Sequence, residues 1–374
     1  MGETTQATDN SPTLEVVPTI GVGLSGVALA GVFVPLRRGV SDPVITVAVV
    51  CALFALVAFV ARRHGLLDRT VGGLGAAAAS LCVVLLSGYA LNQEIAGSVS
   101  LSLGVGSVSL STVFGAFLAA SIAIGVGIAE SVGIDGYGVL RRARTTVGLT
   151  ILGWVGLFSA ALTMELFAVP VVLLRGEISD VEWMVVAQVG MAVGTGLVAI
   201  GYLVATDRDW SFIDLRVPTL RDVGWTVGGV ALLFGALLVI SVILSTTGTE
   251  SAEHATVDQA RENPELMLVL IPAAILVIGP FEELLYRNVV QKAMYDVFSR
   301  QGAIVAGSVV FSIVHLSAYA TAGLGAVMAS LGVVFGLSLV LGFIYERTDN
   351  LVVPALVHGI YNAVVFANLY FTYA

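Results

Sequence analysis

About eleven stretches of some twenty apolar residues follow one another along the chain, and no other feature limits the fold so tightly. They cover residues 16–36, 44–61, 71–91, 112–134, 147–174, 183–205, 224–245, 266–285, 302–320, 322–345 and 351–372. Backbone groups in hydrocarbon must be bonded within the chain, so spans of this length form helices. Composition agrees, with 57% hydrophobic and 11% charged residues against about 25% charged in a soluble domain. The 42 glycines suit closely packed transmembrane helices. The expected fold is an all-α polytopic transmembrane bundle of about 11 spans.

Loop charge sets the expected orientation. Basic clusters at Arg62/Arg63/Arg69, Arg141/Arg142/Arg144, Arg208/Arg216/Arg221 and Arg287/Lys292/Arg300 alternate with loops poor in basic residues at 92–111, 175–182, 246–265 and 316–323. This places the 287–300 end on the cytoplasmic side of the cell membrane. Arg37 and Arg38 run against the scheme and leave the direction of the first span open. The net charge of -9 resides in loops and in residues 1–15, which lack the basic start of a signal peptide and read as a disordered acidic tail. No basic stripe supports nucleic acid as a partner. Cys51 and Cys82 lie in apolar runs without metal or redox spacing and read as small buried hydrophobes.

Paired polar residues inside the spans begin only after residue 222. The chain therefore divides into the tail, a transmembrane region 16–222 without an assigned role, and a region 223–374 that carries the chemistry. In the latter, Glu282-Glu283-x-x-x-Arg287 closes the apolar run 266–279, and Phe311-x-x-x-His315 and His358-x-x-x-Asn362 follow on later spans. Residues four apart share a helix face, and ionisable groups within a membrane are costly enough to be read as functional. Arg287 is expected to neutralise Glu283, leaving Glu282 about 100° round the helix and facing water. A carboxylate withdrawn from bulk water is the stronger proton acceptor. Asn362 offers an amide donor to an oxyanion. Glu282, His315 and His358 equally form a carboxylate–imidazole set suited to zinc, so metal-bound and metal-free chemistry are both open. Depth constrains how these groups can meet. His358 lies about 12 Å beyond Asn350 and His315 about 20 Å beyond Gln301. Convergence requires the 266–300 helix to run past the surface, or helix 302–320 to begin above it.

Simpler readings compete. The Glu-Glu-Arg cluster could anchor a helix end, with Arg287 snorkelling, and a lone histidine in a span is commonly a packing residue. The chain has no His-Glu-x-x-His. Gly23-Leu24-Ser25-Gly26 matches the Gly-x-Ser-Gly of rhomboid serine proteases, but both intramembrane histidines belong to other motifs. Glu130 and Glu165 read as interfacial, and His254 as a solvated loop residue.

The three motifs in this order resemble the CPBP family of intramembrane proteases, which includes the CaaX prenyl endopeptidases and the Abi bacteriocin-immunity proteins; the resemblance covers about residues 224–374. It implies a helical catalytic core with a cavity open to the cytoplasm. Glu282 and His315 would activate water, His358 and Asn362 would stabilise the oxyanion, and Glu283, Arg287 and Phe311 would support them. Family members are commonly called metalloproteases, so Zn2+ held by Glu282, His315 and His358 stays open. The function expected is an intramembrane endopeptidase acting on a membrane-associated peptide or protein, lipidated or not, in the lipid bilayer. Two rivals are a proton-coupled transporter using Glu282, His315 and His358 as a relay and a non-catalytic immunity or scaffold protein. The internal repeats common in transporters are not visible here.

Overall fold

The computed structural model describes residues 16–95, 97–102 and 107–374; the tail expected at 1–15 lies outside them. Twelve helices account for almost all of the described chain. In order they are α1 (Val16–Arg37), α2 (Pro43–Arg63), α3 (Arg69–Asn92), α4 (Thr112–Ser131), α5 (Gly136–Arg175), α6 (Asp180–Ala205), α7 (Leu220–Thr247), the short α8 (Ala255–Glu262), α9 (Leu266–Met294), α10 (Arg300–Tyr319), α11 (Leu324–Thr348) and α12 (Val352–Tyr373). All but α8 are long and apolar enough to cross a membrane. This is a multi-pass membrane protein with an all-helical core. One departure lies in the 92–111 loop, where β1 (Ser98–Ser102) and β2 (Ser107–Ser111) form an antiparallel hairpin with Ser98 opposite Ser111. Both strands read Ser-Val-Ser-Leu-Ser, the two-residue alternation of a strand.

Contacts divide the chain into two compact units, residues 1–143 and 144–374. In the first unit, α1–α4 pack through small residues. A Cβ on Gly73 would lie 2.6 Å from the Gly127 carbonyl oxygen, and one on Gly127 would lie 2.7 Å from that of Gly73. Such an approach lets two backbones touch where a larger residue would hold them apart. Glu130, expected at the interface, is instead buried beside Arg62 (2.7 Å) and Arg69 (3.8 Å). Ser25 is also buried. Of the cysteines, Cys51 is half-buried, while Cys82 is exposed and not in the core.

The second unit is arranged about α9. This helix is not uniform: residues 274–278 and 284–291 adopt wider turns closed by i→i+5 bonds. Pro280 has no N–H to donate, and just before it the Gly279 N–H reaches back five residues to the Ala274 oxygen. Wide turns of this kind commonly mark functional positions in helices. Around α9, Leu285 fills the space above Gly156 of α5, and Tyr286 lies against Gly153 of α5 and Phe311 of α10. Phe281 lies over Gly196 of α6. Helix α7 packs outside α11 and α12, with Gly229 against Ile344 and Val357.

Candidate active site

The site is assembled where α9 crosses α12. A Cβ on Gly279 would lie 2.4 Å from the Ala355 oxygen and 2.9 Å from the Gly359 nitrogen. One on Gly359 would lie 2.6 Å from the Ala274 oxygen and 2.8 Å from the Ile275 Cα. Two glycines thus allow backbone-to-backbone contact one turn before Glu283 and immediately after His358. Across this crossing, His358 Nδ1 lies 3.0 Å from Glu283 Oε1. Arg287 Nε donates to the other carboxylate oxygen, Oε2, at 2.9 Å. Glu283 and Arg287 are both fully buried, so each neutralises a charge that would be very costly alone.

His315 reaches the same place from α10. Gln291 of α9 packs on Gly307 of α10. From that point His315 is eight residues along α10 and Glu282 nine residues back along the antiparallel α9, which brings them level. Helix α9 continues to Met294 and α10 starts at Arg300, so both extend past the Gln291–Gly307 contact. Nε2 of His315 and Nε2 of His358 each lie 4.0 Å from Glu282 Oε2. His315 Nδ1 lies 2.7 Å from the Phe311 carbonyl oxygen; a carbonyl only accepts, so Nδ1 carries the proton and Nε2 presents its lone pair. The Phe311 ring is the common floor. It lies 4.4 Å from the His315 ring, 6.1 Å from the His358 ring and 4.8 Å beneath the Arg287 guanidinium.

The structure therefore gathers Glu282, Glu283, Arg287, Phe311, His315 and His358. Asn362 is half-buried one turn beyond His358 on α12. Glu282 Oε2 and both terminal nitrogens of Arg287 are buried without a hydrogen-bond partner among the described residues. Buried polar atoms are rarely left so, and these are the atoms to which a water or a substrate would bind.

Tetrahedral zinc with bonds of about 2.0–2.1 Å holds its ligand atoms roughly 3.4 Å apart, closer than the 4.0 Å from Glu282 to either imidazole. Among the described residues, no group of three or more His, Cys, Asp or Glu side chains could hold a metal ion. A water about 2.8 Å from each group matches the spacing.

Residues 264–364 match the family model described as Rce1-like, type II CAAX prenyl endopeptidase Rce1-like. The match covers 101 of the 374 residues. No curated protein and no solved structure matches the chain. The matched stretch runs from just before α9 into α12 and contains all three motifs. The match gives the carrier and scaffold readings no support.

Several residues around the site gave little sequence signal. Asn288 and Gln291 of α9 are fully buried, and Asp214, between α6 and α7, bonds to α9, to α11 and to the residue before α12. In sequence the 208–221 stretch stands out only by its arginines. His254 is not a solvated loop residue. Its Nδ1 accepts the Thr256 N–H at 3.1 Å as the cap of α8, and its ring lies 5.1 Å from Tyr319, edge to face. Burial lowers its pKa. The segment it belongs to is fastened over the end of α10 and the start of α11: the Ala252 N–H donates to Ala326, Ser330 to the Ala252 oxygen, and Thr321 to the Glu253 oxygen.

Proposed function

We propose that the protein is an intramembrane endopeptidase that hydrolyses a peptide bond with a water activated by Glu282 and His315. The observation that carries this reading is the Glu282 carboxylate oxygen, 4.0 Å from each of two imidazole nitrogens. With Nδ1 of His315 committed to Phe311, a water between Glu282 and His315 donates one hydrogen to each. As its oxygen attacks the scissile carbonyl carbon, one proton passes to Glu282 and a tetrahedral oxyanion forms. His358, as an imidazolium that gives its Nδ1–H to Glu283 and its Nε2–H to the site, and the amide of Asn362 are the donors assigned to that oxyanion. Glu282 then returns its proton to the leaving nitrogen, the C–N bond breaks, and an amine leaves with a carboxylic acid, which gives up its remaining proton to water. Glu283 and Arg287 orient His358, and Phe311 supports the rings. The site works without a metal in this proposal.

The substrate proposed is a membrane-associated peptide or protein, prenylated near its carboxy terminus as the name of the matched family suggests. Residues 223–374 form the catalytic region in this reading, and the site opens toward the cytoplasm, where loop arginines cluster. The test uses the purified full-length chain in bilayer discs with a prenylated carboxy-terminal peptide, and identifies products by mass. Release of a short carboxy-terminal peptide by the wild type, lost in Glu282→Gln at equal folded yield, is the expected result. Equal cleavage by Glu282→Gln would overturn the proposal.

A further inference from the structure

Asp214 lies in none of the three motifs, and it belongs to a connecting segment rather than to a span. Nevertheless it touches α9, α11 and the first residue before α12. Its carboxylate accepts from Lys292 Nζ through Oδ1 at 2.8 Å and from the Tyr345 hydroxyl through Oδ2 at 2.6 Å. Its N–H donates to Asn288 Oδ1 at 2.8 Å. Its carbonyl oxygen accepts the Leu351 N–H at 2.7 Å, one of the amide donors that a helix start leaves without an intrahelical partner. Two residues earlier, the Phe212 oxygen accepts from Asn288 Nδ2 at 3.1 Å and from Lys292 at 2.6 Å. Two residues later, Arg216 bonds to the Asn350 side chain through its N–H and to the Thr348 oxygen through its guanidinium. Lys292, the chain's single lysine, donates twice to this segment.

The partners lie close to the chemistry in sequence. Asn288 follows Arg287 directly and is five residues beyond Glu283; Leu351 is seven residues before His358. The bond between His358 and Glu283 joins α12 to α9, so its length depends on how those helices are registered, and the 212–216 strap fastens their ends. We infer that Asp214 is a positioning residue for hydrolysis, setting the register of α12 on α9 and hence the Glu283–His358 pair. The inference rests on the hydrolytic reading above. Asp214 touches no substrate; its carboxylate acts through Lys292 and Tyr345, and its backbone through Asn288 and Leu351.

The test compares kcat and KM of the full-length wild type with those of Asp214→Ala, Asp214→Asn, Tyr345→Phe and Trp210→Ala, the last an exposed residue of the same segment. A misplacement near 1 Å costs on the order of a hundredfold. Asp214→Ala is therefore expected to lower kcat by about tenfold or more with KM within about twofold. Asp214→Asn keeps an acceptor for Lys292 and a partner for Tyr345, and should recover much of the loss. Tyr345→Phe removes a single hydroxyl, leaves folding least disturbed, and should lower kcat about threefold. Changes in kcat no larger than those of Trp210→Ala, or a loss that tracks folded yield and is not recovered by Asp214→Asn, would overturn the inference. Glu282→Gln is assayed in parallel. Undiminished cleavage by it sinks the hydrolytic reading itself, whereas a dead Glu282→Gln beside a fully active Asp214→Ala sinks only the role of Asp214.

Discussion

The Gly279–Gly359 crossing gives the sharpest quantitative prediction. In Gly359→Ala the new methyl would sit 2.6 Å from the Ala274 oxygen and 2.8 Å from the Ile275 Cα, where about 3.4 Å or more is needed. Both obstacles are backbone, so no rotamer change relieves them and the helices must part by roughly 0.8 Å. His358 is the adjacent residue, and its 3.0 Å link to Glu283 would stretch beyond hydrogen-bond range. Overpacking of this kind costs about 1–3 kcal/mol of stability, which leaves most molecules folded. The catalytic loss should be greater, on the order of a hundredfold in kcat. Gly279→Ala faces a 2.4 Å contact with the Ala355 oxygen and should behave alike, while the double variant should do little further harm because the helices have already separated. Gly332→Ala on α11 is the control, since nothing lies within 4 Å of the place its new methyl would occupy. Thermal unfolding in detergent and steady-state peptide cleavage together read both effects. A Gly359→Ala protein that cleaves at the wild-type rate would refute the argument that this crossing sets the Glu283–His358 distance.

Other perturbations separate stability from chemistry. Arg287→Ala removes the guanidinium from the fully buried Glu283 and should cost about 3–5 kcal/mol by leaving a carboxylate without its main partner; the unfolding midpoint reports it. The His254 segment should respond to pH. Burial lowers the pKa of its ring, so the undocked segment takes up a proton at higher pH than the docked one. Docking is thus fully stable above the ordinary histidine value of about 6.5 and weakens as pH falls through that value toward the lowered one. Amide exchange over residues 252–262, corrected for its intrinsic pH dependence, should quicken in that window in the wild type. His254→Phe should abolish the response.

The spans were legible because each carries its own signal: a run of apolar residues long enough to cross a bilayer identifies itself. The motif pairs were legible for the same reason, since polar groups at helical spacing stand out against an apolar background. What escaped notice depends on partners distant in sequence. Gly279 and Gly359 resemble the other glycines in apolar runs until the backbones they admit are known. Asp214 reads as one more loop acid, although its partners lie 74 to 137 residues away in α9, in α11 and at the start of α12. The helices contributed by residues 144–205 are silent as well, because they meet α9 through Gly153, Gly156 and Gly196, contacts on glycines that carry no motif. His254 was misread for a similar reason: an isolated histidine in a polar loop gives no hint that Tyr319 will cover it. The Ser-Val-Ser-Leu-Ser repeat of the hairpin was readable, but it is short beside the spans around it.

The most direct test of the account is the cleavage rate of a prenylated peptide by wild-type protein and by Glu282→Gln, each with and without a zinc chelator. The account predicts activity in the wild type that survives the chelator and vanishes in Glu282→Gln. Loss of wild-type activity on chelation, restored by added zinc, would contradict the metal-free water held between Glu282 and His315.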